Sequence, residues 1–200
     1  GDASYVLCSF HGFLLHLYAG EAISDDDVTY LLVKVGHDSV VPRPADTPEG
    51  WFSCDVAPFE YPAFGTGDFR PSAVMVKAQT KSEAQSAAAP NTALRYDSYD
   101  LIPGKPVLDK CPAVHANEEE CDTLVLHCSD SASGMEYDLY YSVMRELPAI
   151  CRRTVIRNKT KADAHILRAY SASVDFTTVD PDAQLLHLWG TWGRERHAER

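Results

Sequence analysis

Positive charge is scarce in this 200-residue chain. Its 18 Lys and Arg stand against 29 Asp and Glu, a formal net charge of -11. Nucleic acid and anionic lipid surfaces both demand a basic face, so neither is expected as a partner. Long apolar runs are missing too. None approaches the ~20 residues a spanning helix needs, so no transmembrane segment is expected. The opening Gly1-Asp2-Ala3-Ser4 carries no basic region of a secretory leader, which points to a cytoplasmic protein. No Cys-x-x-Cys occurs among the six cysteines and no His-x-x-x-His among the eight histidines. The spacings that hold zinc are therefore absent, and no metal is expected. No glycine-rich phosphate loop and no nucleophile signature of the Ser/His/Asp kind is present, so no cofactor is expected. Helical periodicity with caps at both ends is also missing. Residues 81–89 are Ala-rich and suit at most a helical turn, which Pro90 stops.

What is present reads as strand. Residues 4–10 and 13–18 are rich in Tyr, Val, Leu and Phe and flank Gly12, which suggests a hairpin. Residues 137–143 alternate, placing Tyr137, Leu139, Tyr141 and Val143 on one face. Residues 73–77, 123–128, 154–159 and 164–174 read as further strands. Turn signals at Pro103-Gly104, Ser131-Ala-Ser-Gly134 and Asp180-Pro-Asp182 separate the segments. Many short strands with turns between them predict an all-β fold, a β-sandwich. The length suits one domain, and 45% hydrophobic residues suffice for a sizeable core. In such a chain the cysteines (Cys8, Cys54, Cys111, Cys121, Cys128 and Cys151) are expected as free thiols in a reducing compartment.

One stretch differs in character. Leu185-Leu-His-Leu-Trp189 leads into Gly190-Thr-Trp-Gly-Arg-Glu-Arg196. The glycines flank Thr191-Trp192 and permit a bend or a close backbone approach, from which the indole can project. Arg194, Glu195 and Arg196 follow with forked and acceptor hydrogen-bonding groups. A ring face beside such groups suits a sugar; read from composition alone, the same residues are a packed tryptophan beside a surface ion-pair cluster. The acidic runs 25–27 and 118–120 read as solvated loops. Asp68 and Arg70 fall on one side of an extended segment and can pair.

Five ordered motifs add a resemblance. Gly190-Thr-Trp-Gly-Arg-Glu-Arg196 resembles the Gly-x-Trp-x-Arg-Glu-Arg segment of glycoside hydrolase family 36, the bacterial and fungal α-galactosidases. Residues 1–20 resemble its opening strands. Glu60-Tyr-Pro-Ala-Phe-Gly-Thr-Gly-Asp-Phe-Arg70 resembles its Glu-Tyr-Pro-x-x-Gly-x-x-Asp-Phe-Arg motif. Leu101-Ile-Pro-Gly-Lys-Pro106 and Arg168-Ala-Tyr-Ser-Ala-Ser-Val-Asp-Phe176 are similar to two more. Residues 28–50 depart from the family pattern.

The resemblance implies that residues 1–200 are a single N-terminal β-sandwich domain, cut before its end. The family's catalytic barrel and its two catalytic aspartates would lie beyond Arg200, so no catalytic residue is assigned in this chain. It further implies a retaining glycosidase acting on terminal α-galactosyl residues of oligosaccharides, and a homo-oligomer. Two substrate-binding positions follow from it. Trp192 matches a tryptophan near the sugar. Asp38, placed by counting back from Trp51-Phe-Ser-Cys54, matches an aspartate that can reach a neighbouring subunit's site; read from the residues alone, it is a surface-loop carboxylate. The alternative from another class is a stand-alone carbohydrate-binding or assembly module without catalysis.

Overall fold

The computed structural model describes residues 2–24, 27–35, 47–65, 67–78, 92–109, 112–175, 184 and 186–199. Ten strands account for its regular structure: β1 (Ala3–Phe10), β2 (Phe13–Glu21), β3 (Val74–Ala78), β4 (Arg95–Pro103), β5 (Cys121–Asp130), β6 (Met135–Met144), β7 (Ile150–Asn158), β8 (Ala164–Ala169), β9 (His187–Thr191) and β10 (Arg194–Glu199). A single 3-10 turn, Thr29–Leu31, is the one helical element among the described residues. The fold is all-β, as the turn-punctuated pattern predicts. The Ala-rich residues 81–89 lie outside the described residues.

β4, β5, β6 and β7 form one antiparallel meander in that order, and β1–β2, β3–β8 and β9–β10 form two-stranded pairs. The meander's inner face is set by alternation. Cys128 lies opposite Tyr137, Leu126 opposite Leu139 and Leu124 opposite Tyr141. Tyr137, Leu139 and Tyr141 are buried together with Leu14 of β2 and Val74 and Val76 of β3. The meander thus forms one layer of the sandwich, and β2 with β3–β8 forms the other. Val143 keeps the same alternation but is 46% exposed, and Tyr141 is the last buried position on this face of β6.

β2 reads as a continuous apolar run, and Phe13, Leu14, Leu15, His16 and Leu17 are all buried. Leu14 faces the main core, whereas Phe13, Leu15 and Leu17 enter a second cluster with Phe52, Cys54, Ala57 and Phe59. A strand covered on both faces loses its alternation. The β1–β2 turn is His11-Gly12, with φ of 47° and 75° at its two central residues. Two left-handed residues in a two-residue loop match the twist of a hairpin. Its unusual occupant, His11, is tied by Nε2 to Glu49 at 2.7 Å.

Cys8, Cys121, Cys128 and Cys151 are free thiols. Burial, with Asp97 and Asp138 nearby, pushes the Cys128 thiol up to about 12, so it is an inert core group rather than a nucleophile. No described helix is long and apolar enough to cross a membrane.

The meander's outer face carries a cross-strand charge cluster. His127 Nδ1 meets Asp138 Oδ1 at 2.8 Å, and Nε2 meets Asp100 Oδ2 at 3.1 Å. Arg157 also pairs with Asp138. The bond to Asp138, reinforced by Asp100, raises the His127 pKa above its ordinary value against a desolvation penalty. The folded pKa therefore exceeds the unfolded one. The cluster's contribution is fully present below about pH 6.5 and is lost as pH rises through the folded value. Solvent screening keeps it small. His127→Gln should flatten this part of the melting-temperature profile between about pH 5 and pH 9. A variant profile parallel to that of the parent would show that the cluster does not couple protonation to folding.

Candidate functional site

The β9–β10 hairpin is the site the sequence singles out. Its pairing places Arg194 opposite Thr191, His197 opposite Trp189 and Ala198 opposite Leu188. Trp192-Gly193 is the two-residue turn. Gly193 sits at φ +77° with open space where a Cβ would be, so backbone conformation alone selects glycine. Gly190 is selected differently: its Cβ would fall 2.6 Å from Arg194 O and 2.9 Å from Glu195 Cα. The register shifts between Arg194 and His197, with Arg196 at φ 60°. This bulge re-aims the side chains after the turn.

Trp192 is 100% exposed, so it is not a core residue. Trp189, 42% exposed, stacks on His197 at 5.0 Å and 26°. Leu186 and Leu188 are exposed as well. Glu195 Oε1 accepts a hydrogen bond from Gly193 N at 3.1 Å, which steadies the turn. An open groove of about 390 Å³ runs along the hairpin, lined by Trp189, Trp192, Glu195 and Arg196 among others. The structure therefore brings Trp192 together with Glu195 and Arg196, as the sequence suggests. Arg194 does not line the groove, and Trp189 does, without having been singled out. Asp38 lies outside the described residues.

Gly190→Ala is expected to break the β9–β10 pairing, because the obstacle is backbone that cannot swing away. The body of the domain should be unaffected, since every described side chain of the hairpin is exposed. Unchanged cross-strand contacts between β9 and β10 in Gly190→Ala, read by NMR, would show that the close backbone approach at Gly190 does not constrain the hairpin.

Motif residues outside the hairpin hold the fold. Glu60 is 0% exposed. Its Oε2 accepts from Tyr5 OH at 2.7 Å and its Oε1 from Tyr141 OH at 2.8 Å. Arg152 Nη1 lies 2.8 Å from Oε1, and its guanidinium lies 3.8 Å from the Tyr141 ring centroid. Burial first, then the Glu60 carboxylate, pushes both tyrosine hydroxyls up, so they remain donors. Arg70 is a second hub. Its Nε and Nη2 bind Asp68 at 2.9 and 2.8 Å, Nη2 also donates to Ala57 O, and Nη1 reaches Asp175 at 2.7 Å. Asp68 and Arg70 pair, and Asp175 joins them from the motif at residues 168–176. Among the described residues, no group of three His, Cys, Asp or Glu side chains is placed to hold a metal ion.

Residues 12–200 match the glycosyl hydrolase family 36 N-terminal domain. The chain belongs to family 36. Alpha-galactosidase AgaA of Geobacillus stearothermophilus is 37% identical over 202 residues, which cover 100% of this chain and 26% of that enzyme. The bifunctional alpha-galactosidase/sucrose kinase AgaSK of Mediterraneibacter gnavus is 32% identical over 94% of the chain and 19% of its own length. Among solved structures, a form of AgaA in complex with stachyose superposes at a TM-score of 0.82 with 35% identity, covering 100% of this chain and 26% of that one. The alpha-galactosidase of Lactobacillus brevis superposes at 0.82 with 27% identity, covering 99% and 26%. The chain thus spans about a quarter of the length of the G. stearothermophilus enzyme.

Proposed function

We propose that this family 36 domain belongs to a retaining α-galactosidase that removes terminal α-galactosyl residues from oligosaccharides such as raffinose or melibiose. The observation that carries the reading is the fully exposed Trp192 at the hairpin tip, set in a groove with Glu195 and Arg196. The indole face takes the C–H side of the sugar, and the ionic groups take hydroxyls. Solved relatives carrying stachyose and raffinose support an oligosaccharide as the ligand. Asp38 is proposed as a further contact, reaching the site of a neighbouring subunit in a homo-oligomer. The free thiols support a reducing, cytoplasmic setting.

Chemistry is proposed to lie outside these residues. A retaining mechanism needs two carboxyl groups about 5 Å apart across the scissile bond. The hairpin groove offers one among the described residues, Glu195. Full-length protein should therefore cleave an aryl α-galactoside, and the chain 1–200 alone should not. Absence of turnover by the full-length protein would refute the activity. Turnover by the chain alone, abolished by a substitution within it, would refute the division of labour. A stand-alone binding module is not favoured, because the relatives carry this domain within far longer glycosidases.

A further inference from the structure

We propose that the cleft along β7 is a second ligand site, one that takes a small phosphate ester through Arg153 and Lys105. β7 is the last strand of the meander, and a cleft of about 570 Å³ lies beside it. That volume falls within the ~300–1,000 Å³ of small-molecule sites. Its described lining holds three cations, Lys105, Arg152 and Arg153, and no Asp or Glu. In a chain of net charge -11 this is a local reversal of sign.

The cations differ in what they have left to give. Arg152 is committed through Nη1 to Glu60, although its buried Nε and Nη2 find no hydrogen-bond partner among the described residues. Arg153 lies over Tyr140, 4.0 Å from the ring centroid, and among the described residues its one hydrogen bond is a long one, from Nη1 to Val107 O at 3.5 Å. Most of its donor fork is therefore open. Lys105 has no ion-pair partner among the described residues. A planar fork and a point charge in one cleft are the donor types that suit a phosphate dianion. Leu108, Val114 and Tyr170 line the same cleft and would receive the body of an ester. None of these residues lines the hairpin groove.

Calorimetric titration of the full-length protein tests the assignment with a hexose 6-phosphate, inorganic phosphate and the uncharged hexose. Saturable binding of the hexose phosphate with a Kd of about 1 mM or tighter is expected. Arg153→Gln and Lys105→Gln should each weaken it about tenfold or more, the usual scale for a charge-assisted hydrogen bond. Trp192→Ala should leave it unchanged. Hexose phosphate binding tighter than inorganic phosphate assigns the apolar wall to the ester; equal affinities assign the site to the anion alone, and either upholds phosphate recognition. Arg153 also packs on Tyr140, so Lys105→Gln serves as the variant that does not touch packing. The proposal is overturned if neither phosphate probe gives saturable heat, if Lys105→Gln binds as tightly as the parent, or if the uncharged hexose competes.

Discussion

Trp192→Ala in the full-length protein is expected to lower kcat/KM on an α-galactoside by about ten- to a hundredfold. Stacking of a ring on a planar partner contributes about 1–3 kcal/mol, and about 1.4 kcal/mol is one decade in rate. The melting temperature should hold. A buried tryptophan would cost about 3–5 kcal/mol on truncation, but this ring is 100% exposed and supports nothing in either core. Trp192→Phe should recover part of the activity, since a smaller face still stacks. Kinetic constants that survive Trp192→Ala would remove the sugar platform. A fall in melting temperature with unchanged kinetics would show that the ring packs against another part of the full-length protein instead.

Glu60→Ala is expected to be the most damaging single change to the fold. It leaves the Arg152 guanidinium buried without its counter-charge and the Tyr5 and Tyr141 hydroxyls without their acceptor. Breaking one side of a buried pair costs about 3–5 kcal/mol. For a domain of this size each kcal/mol shifts the midpoint by about 2–4 °C, so a drop of roughly 6–20 °C is expected. The network ties β1, β6 and β7 to the segment around Glu60, so all four should loosen together. Glu60→Met combined with Arg152→Met should recover part of the loss, because an apolar replacement of both partners strands no charge. A midpoint lowered by less than about 2 °C, below one kcal/mol on this scale, would show that Glu60 is not a structural anchor.

Much of the fold was legible in the sequence, for a local reason. Residues 137–141 alternate, and the alternation alone predicts that Tyr137, Leu139 and Tyr141 share the buried face. Gly190 and Gly193 mark the hairpin that presents Trp192, because only glycine suits the crowded backbone at one and the left-handed φ at the other. β4 was not legible: Arg-Tyr-Asp-Ser-Tyr-Asp offers no apolar alternation, and the strand is made by pairing with β5. β10 looked like a charge cluster for the same reason, since all its described side chains meet solvent.

The candidate site divides along similar lines. Trp192 and its ionic neighbours are consecutive, so a bend between glycines suffices to bring them together. Trp189 enters the groove because a two-residue turn folds β9 back along β10, which spacing alone does not announce. Glu60 opens the motif at residues 60–70, but its partners were not legible. Tyr5 and Tyr141 lie 55 and 81 residues away from it. The sequence by itself determined the strand-built class, the shared inward face of Tyr137, Leu139 and Tyr141, and a bend between Gly190 and Gly193, because these follow from side-chain period and backbone sterics within a few residues. The tertiary structure alone decided that Trp192 is exposed rather than packed, that Val143 is left exposed, that β2 is covered on both faces, and that Glu60, Tyr5, Tyr141 and Arg152 meet at one point. Those outcomes depend on which layer lies opposite each strand, and no local period encodes a neighbour brought there by packing.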